Sequence, residues 1–139
     1  MRYTIHADGG ARGNPGPAGA GAIIRDEFGS TVGSISKFLG HQTNNVAEYE
    51  AVILAFEALY RAVPAAERET TGVVVKLDSE LVVRQMKGEY KVRNPVLKEQ
   101  QARLAQVVAA FGSVAFTHIP REENSDADAL ANAAMDRRA

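Results

Sequence analysis

The sequence predicts an α/β domain whose five-stranded mixed sheet, three antiparallel strands followed by two parallel ones, is flanked by helices. Two patterns support this class. Residues 72–78 (GVVVKLD) are nearly all apolar, as in a central strand covered on both faces, whereas residues 43–63 carry apolar side chains at helical spacing. The element order βββαβααβα favours a leading antiparallel group and then crossovers to parallel strands.

The individual elements are predicted from local patterns. Residues 2–8 alternate between apolar and polar side chains, which indicates a strand. Residues 18–24 (AGAGAII) and 31–39 (TVGSISKFL) are two more strands, joined by the turn-forming DEFGS as an antiparallel hairpin. The helix over 43–63 ends before Pro64. The remaining elements are helices from Ser79 to about Lys87 and from about Asn94 to Ala110, a fifth strand over 112–119 and a closing helix over 124–138.

Composition limits the class of protein. A chain of 139 residues, 45% hydrophobic and 24% charged, is expected to form one domain over residues 1–139. It has no apolar run of about 18 residues and no signal-like N-terminus, so we expect no membrane association. The absence of cysteine excludes disulfides and thiolate metal ligands and favours a cytoplasmic location.

The net charge of −1 argues against a strongly basic polyanion-binding protein, but a local patch can still contact phosphates. Such a patch lies in residues 84–103, where six basic residues accompany only two glutamates. Charge alone favours a solvated helix face there. The six are Arg84, Lys87, Lys91, Arg93, Lys98 and Arg103.

Residues 3–24 (YTIHADGGARGNPGPAGAGAII) end a strand pattern on Asp8 and follow the carboxylate with glycines. Asp78 ends the predicted fourth strand. Both carboxylates are therefore expected at the carboxyl ends of strands, where open α/β sheets bind ligands. A helix or turn cap is the structural alternative for each, and it is a serious one for Asp78, which precedes SELVV.

Glu48 is harder to explain as a structural residue. At about 100° per residue it shares a helix face with Val52, Ala55 and Leu59, and this face must contact the sheet. A glutamate there costs free energy unless a cation or hydrogen bonds compensate. The opposite face is charged and is expected to meet solvent: Glu50, Glu57 and Arg61.

The closing helix contributes one more candidate. Asp128 shares a face with Ala131 and Met135 and is expected to point inward, whereas Asp126 lies on the other side. Ser125 and Asp128 have the spacing of an abbreviated capping box, so helix capping remains an alternative for Asp128.

Together, the four carboxylates indicate a metal site. Two carboxylates about 4 Å apart repel by roughly 4 kcal/mol at an effective dielectric constant near 20, so a cluster of them requires divalent cations. Mg²⁺ prefers hard oxygen ligands and recruits substrate phosphates. Ca²⁺ is disfavoured because there is no EF-hand spacing, and Zn²⁺ because the chain lacks cysteine and its three histidines are scattered.

Four blocks resemble, in order, those of type 1 ribonuclease H: DGGARGNPGPAGAGAII, TNNVAEYEAVILAFEAL, VKLDSELVVRQMKGEYKVRNP and IPREENSDADALANAAM. The match covers essentially the whole length. The resemblance implies the ribonuclease H-like sheet and an endonuclease that hydrolyses the RNA strand of RNA/DNA hybrids. Matched by position, the family's catalytic, metal-binding carboxylates are Asp8, Glu48, Asp78 and Asp128.

The implied mechanism uses two Mg²⁺ ions about 3.5–4 Å apart beside the scissile phosphate, with Mn²⁺ as a substitute. In this hypothesis Asp8 bridges the ions, Asp78 and Glu48 complete one side and Asp128 completes the other. Glu48 also meets the 2′-hydroxyl that distinguishes RNA from DNA. The products carry a 5′-phosphate and a 3′-hydroxyl.

The resemblance also assigns contacts with the hybrid. The backbone comes close to the nucleic acid at Gly9, Gly10 and Gly13, where side chains would obstruct it. The minor groove is contacted by Asn14, Asn44 and Asn45, and a phosphate by Thr43. The DNA-strand phosphates are contacted by Lys87, Lys91 and Arg93. The stretch TNN is also a sound helix N-cap, and both roles can hold together.

Two departures from the family pattern matter. Many relatives carry a histidine on a mobile loop before the last helix, whereas HIPREEN is shorter and Arg121 is the only obvious substitute. His118 belongs to a strand pattern and is expected to be structural, as are His6 and His41. The family's basic protrusion is missing and no hybrid-binding domain precedes Met1, so we expect weaker, salt-sensitive substrate binding. We also expect a monomer. Cleavage of double-stranded RNA stays open.

Two other functions compete. A 3′–5′ exonuclease or a junction resolvase on the same fold also clusters acids, but the Gly-Asn loop and the TNN…E block favour the hybrid nuclease. A non-catalytic nucleic-acid-binding module predicts the loss of at least one acid, and all four are present.

Overall fold

The structure is a computed structural model that describes residues 1–138. Its sheet has the strand order β3-β2-β1-β4-β5, in which β1–β2 and β2–β3 pair antiparallel and β1–β4 and β4–β5 pair parallel. The strands are β1 (Arg2–Ala11), β2 (Gly16–Asp26), β3 (Thr31–Gln42), β4 (Gly72–Leu77) and β5 (Ser113–His118). The helices are α1 (Asn44–Ala62), α2 (Glu80–Met86), α3 (Pro95–Val108) and α4 (Ser125–Arg137), with 3-10 turns at Ala65–Thr70 and Arg121–Glu123. The predicted fold class and order of the main elements are confirmed.

Strand β1 is longer than predicted. It pairs with β2 as far as Ala11, whereas its pairing with β4 stops at His6 and Lys76. The prediction that the strand ends at Asp8 is therefore wrong, because the glycines after Asp8 continue the ladder against the small residues of β2. Asp8 lies inside β1, two residues beyond the last pair with β4, where the sheet opens.

Helix α1 packs on one face of the sheet. Val52, Ala55 and Leu59 are completely buried, in one cluster with residues of β1 and β4. Glu50, predicted to face solvent, is half-buried because α3 packs across α1, and Arg103 donates to its Oε1 at 2.7 Å. No helix within residues 1–138 combines the length and apolar character needed to cross a bilayer.

Helix α4 packs on the opposite face, mainly against β1, β2 and β3. A Cβ at Gly19 or Gly21 would overlap the backbone of α4 at Ala131 or Ala127. The glycines of AGAGAII thus allow close contact between strand and helix. Since α4 does not extend over β4, Val74 stays half-buried, and the expectation that β4 is covered on both faces is wrong for that face.

Candidate active site

Acids that are distant in sequence converge at the carboxyl end of β4, beside the part of β1 that extends past its last pair with β4. Carboxylate oxygens of Asp8, Glu48 and Asp78 lie within 4.8 Å of one another. Asp128 is outside this group but lines the same cleft, which has a volume of about 380 Å³. The predicted convergence of the four candidates is therefore present, with three in mutual reach and the fourth on the wall.

The placement of each acid follows from its element. Parallel pairing puts Asp78, directly after β4, beside the unpaired end of β1 that carries Asp8. Glu48 reaches them because α1 lies very close to β1, where a Cβ at Gly9 would overlap the backbone of Ala47. Gly9 therefore has a reason within the protein for lacking a side chain, whereas the sequence interpretation gave only proximity to nucleic acid.

The capping alternatives for Asp78 and Asp128 do not describe the structure. Ser79 is the N-cap of α2, and its Oγ accepts from the N–H of Val82 at 3.4 Å. The N-cap of α4 is Asn124, with no side-chain capping bond, and Ser125 is already helical. Neither aspartate is thus placed in the cleft by a capping role.

Burial makes Asp8 and Glu48 costly to ionise. Asp8 is 9% exposed and Glu48 7% exposed. Burial, followed by the charges of Asp78 and Asp128, raises the pKa of Asp8 to about 7. Burial and the charges of Asp8 and Asp78 hold the pKa of Glu48 well above its ordinary value.

The cluster has the properties of a cation site. Glu48 Oε2 is buried and has no hydrogen-bond partner in the part of the chain that the structure describes. A buried carboxylate oxygen without a donor, next to two further carboxylates, is a ligand set that fits a hard divalent cation such as Mg²⁺. The donors are all oxygens, so the residues present fit the ion expected from the sequence.

The asparagines tie the β1–β2 loop to the start of α1. The N–H of Asn44 donates to Asn14 Oδ1 at 3.0 Å, and the N–H of Ala11 donates to Asn44 Oδ1 at 2.8 Å. Thr43 Oγ1 accepts from the N–H of Val46 at 3.3 Å, so the alternative that TNN caps the helix is confirmed for Thr43. Asn45 lines the acid cleft.

The other two glycines of the loop differ from Gly9. Gly10 lines the cleft, and a Cβ there would meet only Asn44 Oδ1, at 3.9 Å. Gly13 has φ +85°, a backbone conformation that favours glycine. Of the three glycines, Gly10 alone is free of a backbone reason within the protein.

The basic residues separate into two groups. Arg84 pairs with Glu80 and Glu89, and Arg103 with Glu50, so these two serve contacts within the protein. Lys87, Lys91 and Arg93 are exposed between α2 and α3 and do not line the acid cleft. The basic stretch is therefore an exposed loop cluster and not a continuous helix face.

Arg121 is the basic residue that lines the cleft with the acids, on the 3-10 turn before α4. The histidines lie elsewhere within residues 1–138: His6 in β1, His41 in β3 and His118 in β5, none of them lining the cleft. Their expected structural role stays a prediction.

One residue near the site was not found from the sequence. Asn124 is 1% exposed, and its Nδ2 donates to the carbonyl of Ala7 at 2.9 Å, next to Asp8. The only signal in the sequence is an asparagine at the start of a predicted helix, where capping is the usual explanation.

A five-stranded mixed sheet with a carboxylate-lined cleft at its strand ends defines the class of ribonuclease H-like domains. A family model described as "Reverse transcriptase-like" matches residues 6–134. The structure of LC11-RNase H1, isolated from compost, superposes with a TM-score of 0.90 at 48% identity, covering 99% of this chain and 97% of that one. The chain therefore belongs to the type 1 ribonucleases H.

Further comparisons point to the same family. A ribonuclease HI of Halobacterium salinarum is 38% identical over 97% of this chain and 65% of its own length. LC11-RNase H1 has also been solved in complex with an RNA/DNA hybrid, with a TM-score of 0.88 and 98% of each chain covered. A bifunctional protein of Mycobacterium tuberculosis is 42% identical over 98% of this chain, which spans only 36% of that protein's length.

Proposed function

We propose that this domain is an endoribonuclease that hydrolyses the RNA strand of RNA/DNA hybrids and leaves 5′-phosphate and 3′-hydroxyl ends. The observation that carries the proposal is the convergence of Asp8, Glu48 and Asp78 within 4.8 Å, with Asp128 on the same cleft. The hybrid-bound structure of a relative at 48% identity supports the choice of substrate.

Asp8, Glu48, Asp78 and Asp128 would hold Mg²⁺, with Mn²⁺ as a substitute. The bound ion supplies Lewis acidity and lowers the pKa of a water ligand. The raised pKa values of Asp8 and Glu48 mean that these carboxylates release protons when a cation binds. The Glu48 carboxylate would also accept from the 2′-hydroxyl that RNA alone provides.

The asparagines would read the hybrid through their amide donors. The Oδ1 atoms of Asn14 and Asn44 are occupied by backbone N–H groups, so the Nδ2 groups are what these side chains can offer. Minor-groove base edges and 2′-hydroxyls are acceptors, which suits such donors. Gly10, where a Cβ would meet only Asn44 Oδ1 at 3.9 Å, would let the backbone approach the substrate.

Basic residues would contact the phosphates. Lys87, Lys91 and Arg93 form the exposed cluster between α2 and α3 that is available to the DNA strand. Arg121 is in a different position, because it lines the acid cleft and would meet the RNA phosphates near the reaction.

The test incubates the protein with labelled RNA/DNA hybrid, duplex RNA and duplex DNA, each with Mg²⁺, Mn²⁺ or EDTA. We expect internal cleavage of the RNA strand of the hybrid, abolished by EDTA, with 5′-phosphate product ends. Cleavage that requires a free 3′ end would replace the proposal with an exonuclease, and binding without cleavage would replace it with a non-catalytic module. The duplex RNA sample decides whether a second substrate is cut.

A further inference from the structure

Asn124 links the parts of the chain that carry the acids. Its Nδ2 donates to the carbonyl of Ala7, the residue before Asp8, at 2.9 Å. Its own carbonyl accepts from the N–H of Asp128 at 3.1 Å. A single buried residue therefore contacts the backbone beside one acid and the backbone of another.

The carbonyl of Ala7 needs this donor. Pairing between β1 and β4 ends at His6 and Lys76, so Ala7 lies past the last partner on that side. Ala7 is completely buried, and a buried carbonyl without a donor is costly. The Asn124 amide thus replaces a strand N–H at the point where the sheet opens for the acids.

The segment that leads to Asn124 is anchored at its other end too. The N–H of Ile119 donates to the carbonyl of Leu77, the residue before Asp78, at 2.8 Å. Residues 119–124, here called the crossing segment, therefore run from the end of β4 to β1. Each end of the crossing segment bonds to a carbonyl that directly precedes an acid, and Arg121 lies between them.

Asn124 does not serve the usual purpose of asparagine at a helix start. It is the N-cap of α4, but its side chain bonds no helix N–H. Capping asparagines normally accept from the second or third N–H of the helix. Its Oδ1 is buried without a partner among the described residues. The side chain is used for Ala7 and not for the helix.

We propose that Asn124 is a positioning residue that holds Asp128 and Arg121 in register with Asp8 and Asp78. The inference rests on the proposed function for its kinetic consequences. The structural consequence does not depend on that function, because without the Asn124 amide the crossing segment and the start of α4 lose their bond to β1. A displacement of about 1 Å at a reacting group can lower a rate about 100-fold.

The test compares Asn124→Ser with Thr71→Ala. Serine is a good N-cap but too short to reach the Ala7 carbonyl. Thr71 is 1% exposed, and its Oγ1 donates to the Glu67 carbonyl at 2.8 Å, at the opposite end of β4 from the cleft. Each variant thus loses one side-chain hydrogen bond to a carbonyl, made by a residue that is 1% exposed. Each is measured well below its melting temperature for kcat and KM on the hybrid, and for Mg²⁺ affinity by calorimetry.

We expect Asn124→Ser to lower kcat about 10- to 100-fold with KM within about threefold, and to weaken Mg²⁺ binding. Thr71→Ala should lower the melting temperature comparably and keep kcat and Mg²⁺ affinity within about twofold of wild type. If Asn124→Ser does not fold, Asn124→Asp repeats the comparison, because it keeps the shape and the N-cap but not the amide donor.

Equal Mg²⁺ affinities in the Asn124 and Thr71 variants, or no Mg²⁺ binding by wild type, would overturn the inference. If wild type binds Mg²⁺ but leaves the hybrid intact, the proposed function fails while the calorimetric comparison still decides the role of Asn124.

Discussion

Helix α1 buries two different kinds of surface on one face. Val52, Ala55 and Leu59 are 0% exposed and contribute apolar area at about 25 cal/mol per Å² removed from water. Glu48, one turn earlier, is 7% exposed and has a carboxylate oxygen for which residues 1–138 provide no donor. Burial favours the folded state at the apolar end and opposes it at the acidic end.

This difference separates the residues that stabilise the fold from the residues that the proposed activity requires. The apolar end of α1 needs only the sheet against it. The acidic end contributes Glu48 to the acid cluster, defined here as Asp8, Glu48, Asp78 and Asp128. The acid cluster becomes favourable only when a cation compensates its charge. Substitutions at the apolar end are therefore expected to lower stability and spare activity. Substitutions in the acid cluster are expected to lower activity and to spare or raise stability.

The largest effect is expected on activity. Asp78→Asn and Asp8→Asn should each lower the rate of hybrid cleavage at least about 1000-fold, which is about 4 kcal/mol of transition-state stabilisation. Initial rates on a labelled hybrid measure the loss, and circular dichroism measures the fold. Wild-type rates in a folded Asp78→Asn would contradict the role of the acid cluster.

Leu59→Ala is the reverse change at the apolar end. Leu59 is 0% exposed, and truncating such a residue lowers the free energy of unfolding by about 2–5 kcal/mol. The rate per folded molecule should stay within about twofold of wild type. Denaturant unfolding and active-site titration check the two quantities separately, and a fully folded but inactive Leu59→Ala would remove the distinction between the two ends.

Gly9 and Gly10 are neighbours, but alanine at Gly9 should affect mainly stability and alanine at Gly10 mainly substrate binding. A Cβ at Gly9 overlaps the backbone of Ala47, so Gly9→Ala should lower the free energy of unfolding by about 2–3 kcal/mol. Gly10→Ala has its nearest neighbour at 3.9 Å and should change stability by less than about 1 kcal/mol while raising KM for the hybrid. Urea unfolding of both variants provides the comparison, and equal losses of stability would refute it.

Asp8 and Glu48 should make the stability of the metal-free protein sensitive to pH. The folded-state pKa of Asp8 is raised to about 7 and that of Glu48 is raised as well, whereas unfolded carboxyls titrate near pH 4. The unfolded state therefore loses its protons first, and stability is lost as pH rises from about 4 through 7. Melting temperatures measured in EDTA across this range test the direction.

Asp8→Asn removes part of that penalty. At pH 8 in EDTA it should raise the free energy of unfolding by about 1–2 kcal/mol, and at pH 4 it should have little effect. Mg²⁺ should stabilise wild type at pH 8 more than it stabilises the variant. A variant that is less stable than wild type at pH 8 in EDTA would show that Asp8 contributes to folding by itself.

The smallest effect concerns the exposed basic loop. Replacing Lys87, Lys91 and Arg93 by alanine should weaken hybrid binding and reduce the salt slope by about one for each phosphate that the variant no longer neutralises. The matched control replaces Arg84 and Arg103, which already pair with glutamates. Equal changes in the salt slope for the two sets would show that the loop has no special role in binding the substrate.

The fold could be predicted because periodicity is a local property. The turn DEFGS predicted the hairpin of β2 and β3, and the spacing of Val52, Ala55 and Leu59 predicted the buried face of α1. The extent of β1 could not be predicted, because glycine after Asp8 resembles a loop unless the partner strand is known. Glu50 was misplaced for a similar reason, since α3 covers it from a distant part of the chain.

The acid cluster could be predicted because a carboxylate on an apolar face or at a strand end is unusual in sequence. Asn124 could not, since its partner is the carbonyl of Ala7, 117 residues away. Backbone acceptors have no signature in a sequence. The same limit applies to Gly9, whose requirement comes from the backbone of Ala47 in a neighbouring helix.

Diffraction from crystals soaked in Mn²⁺, recorded at the manganese absorption edge, tests the central claim most directly. We expect anomalous density between the carboxylates of Asp8, Glu48 and Asp78, extending toward Asp128, and its loss in Asp8→Asn. Full occupancy of Mn²⁺ at other sites with none at these carboxylates would contradict the claim.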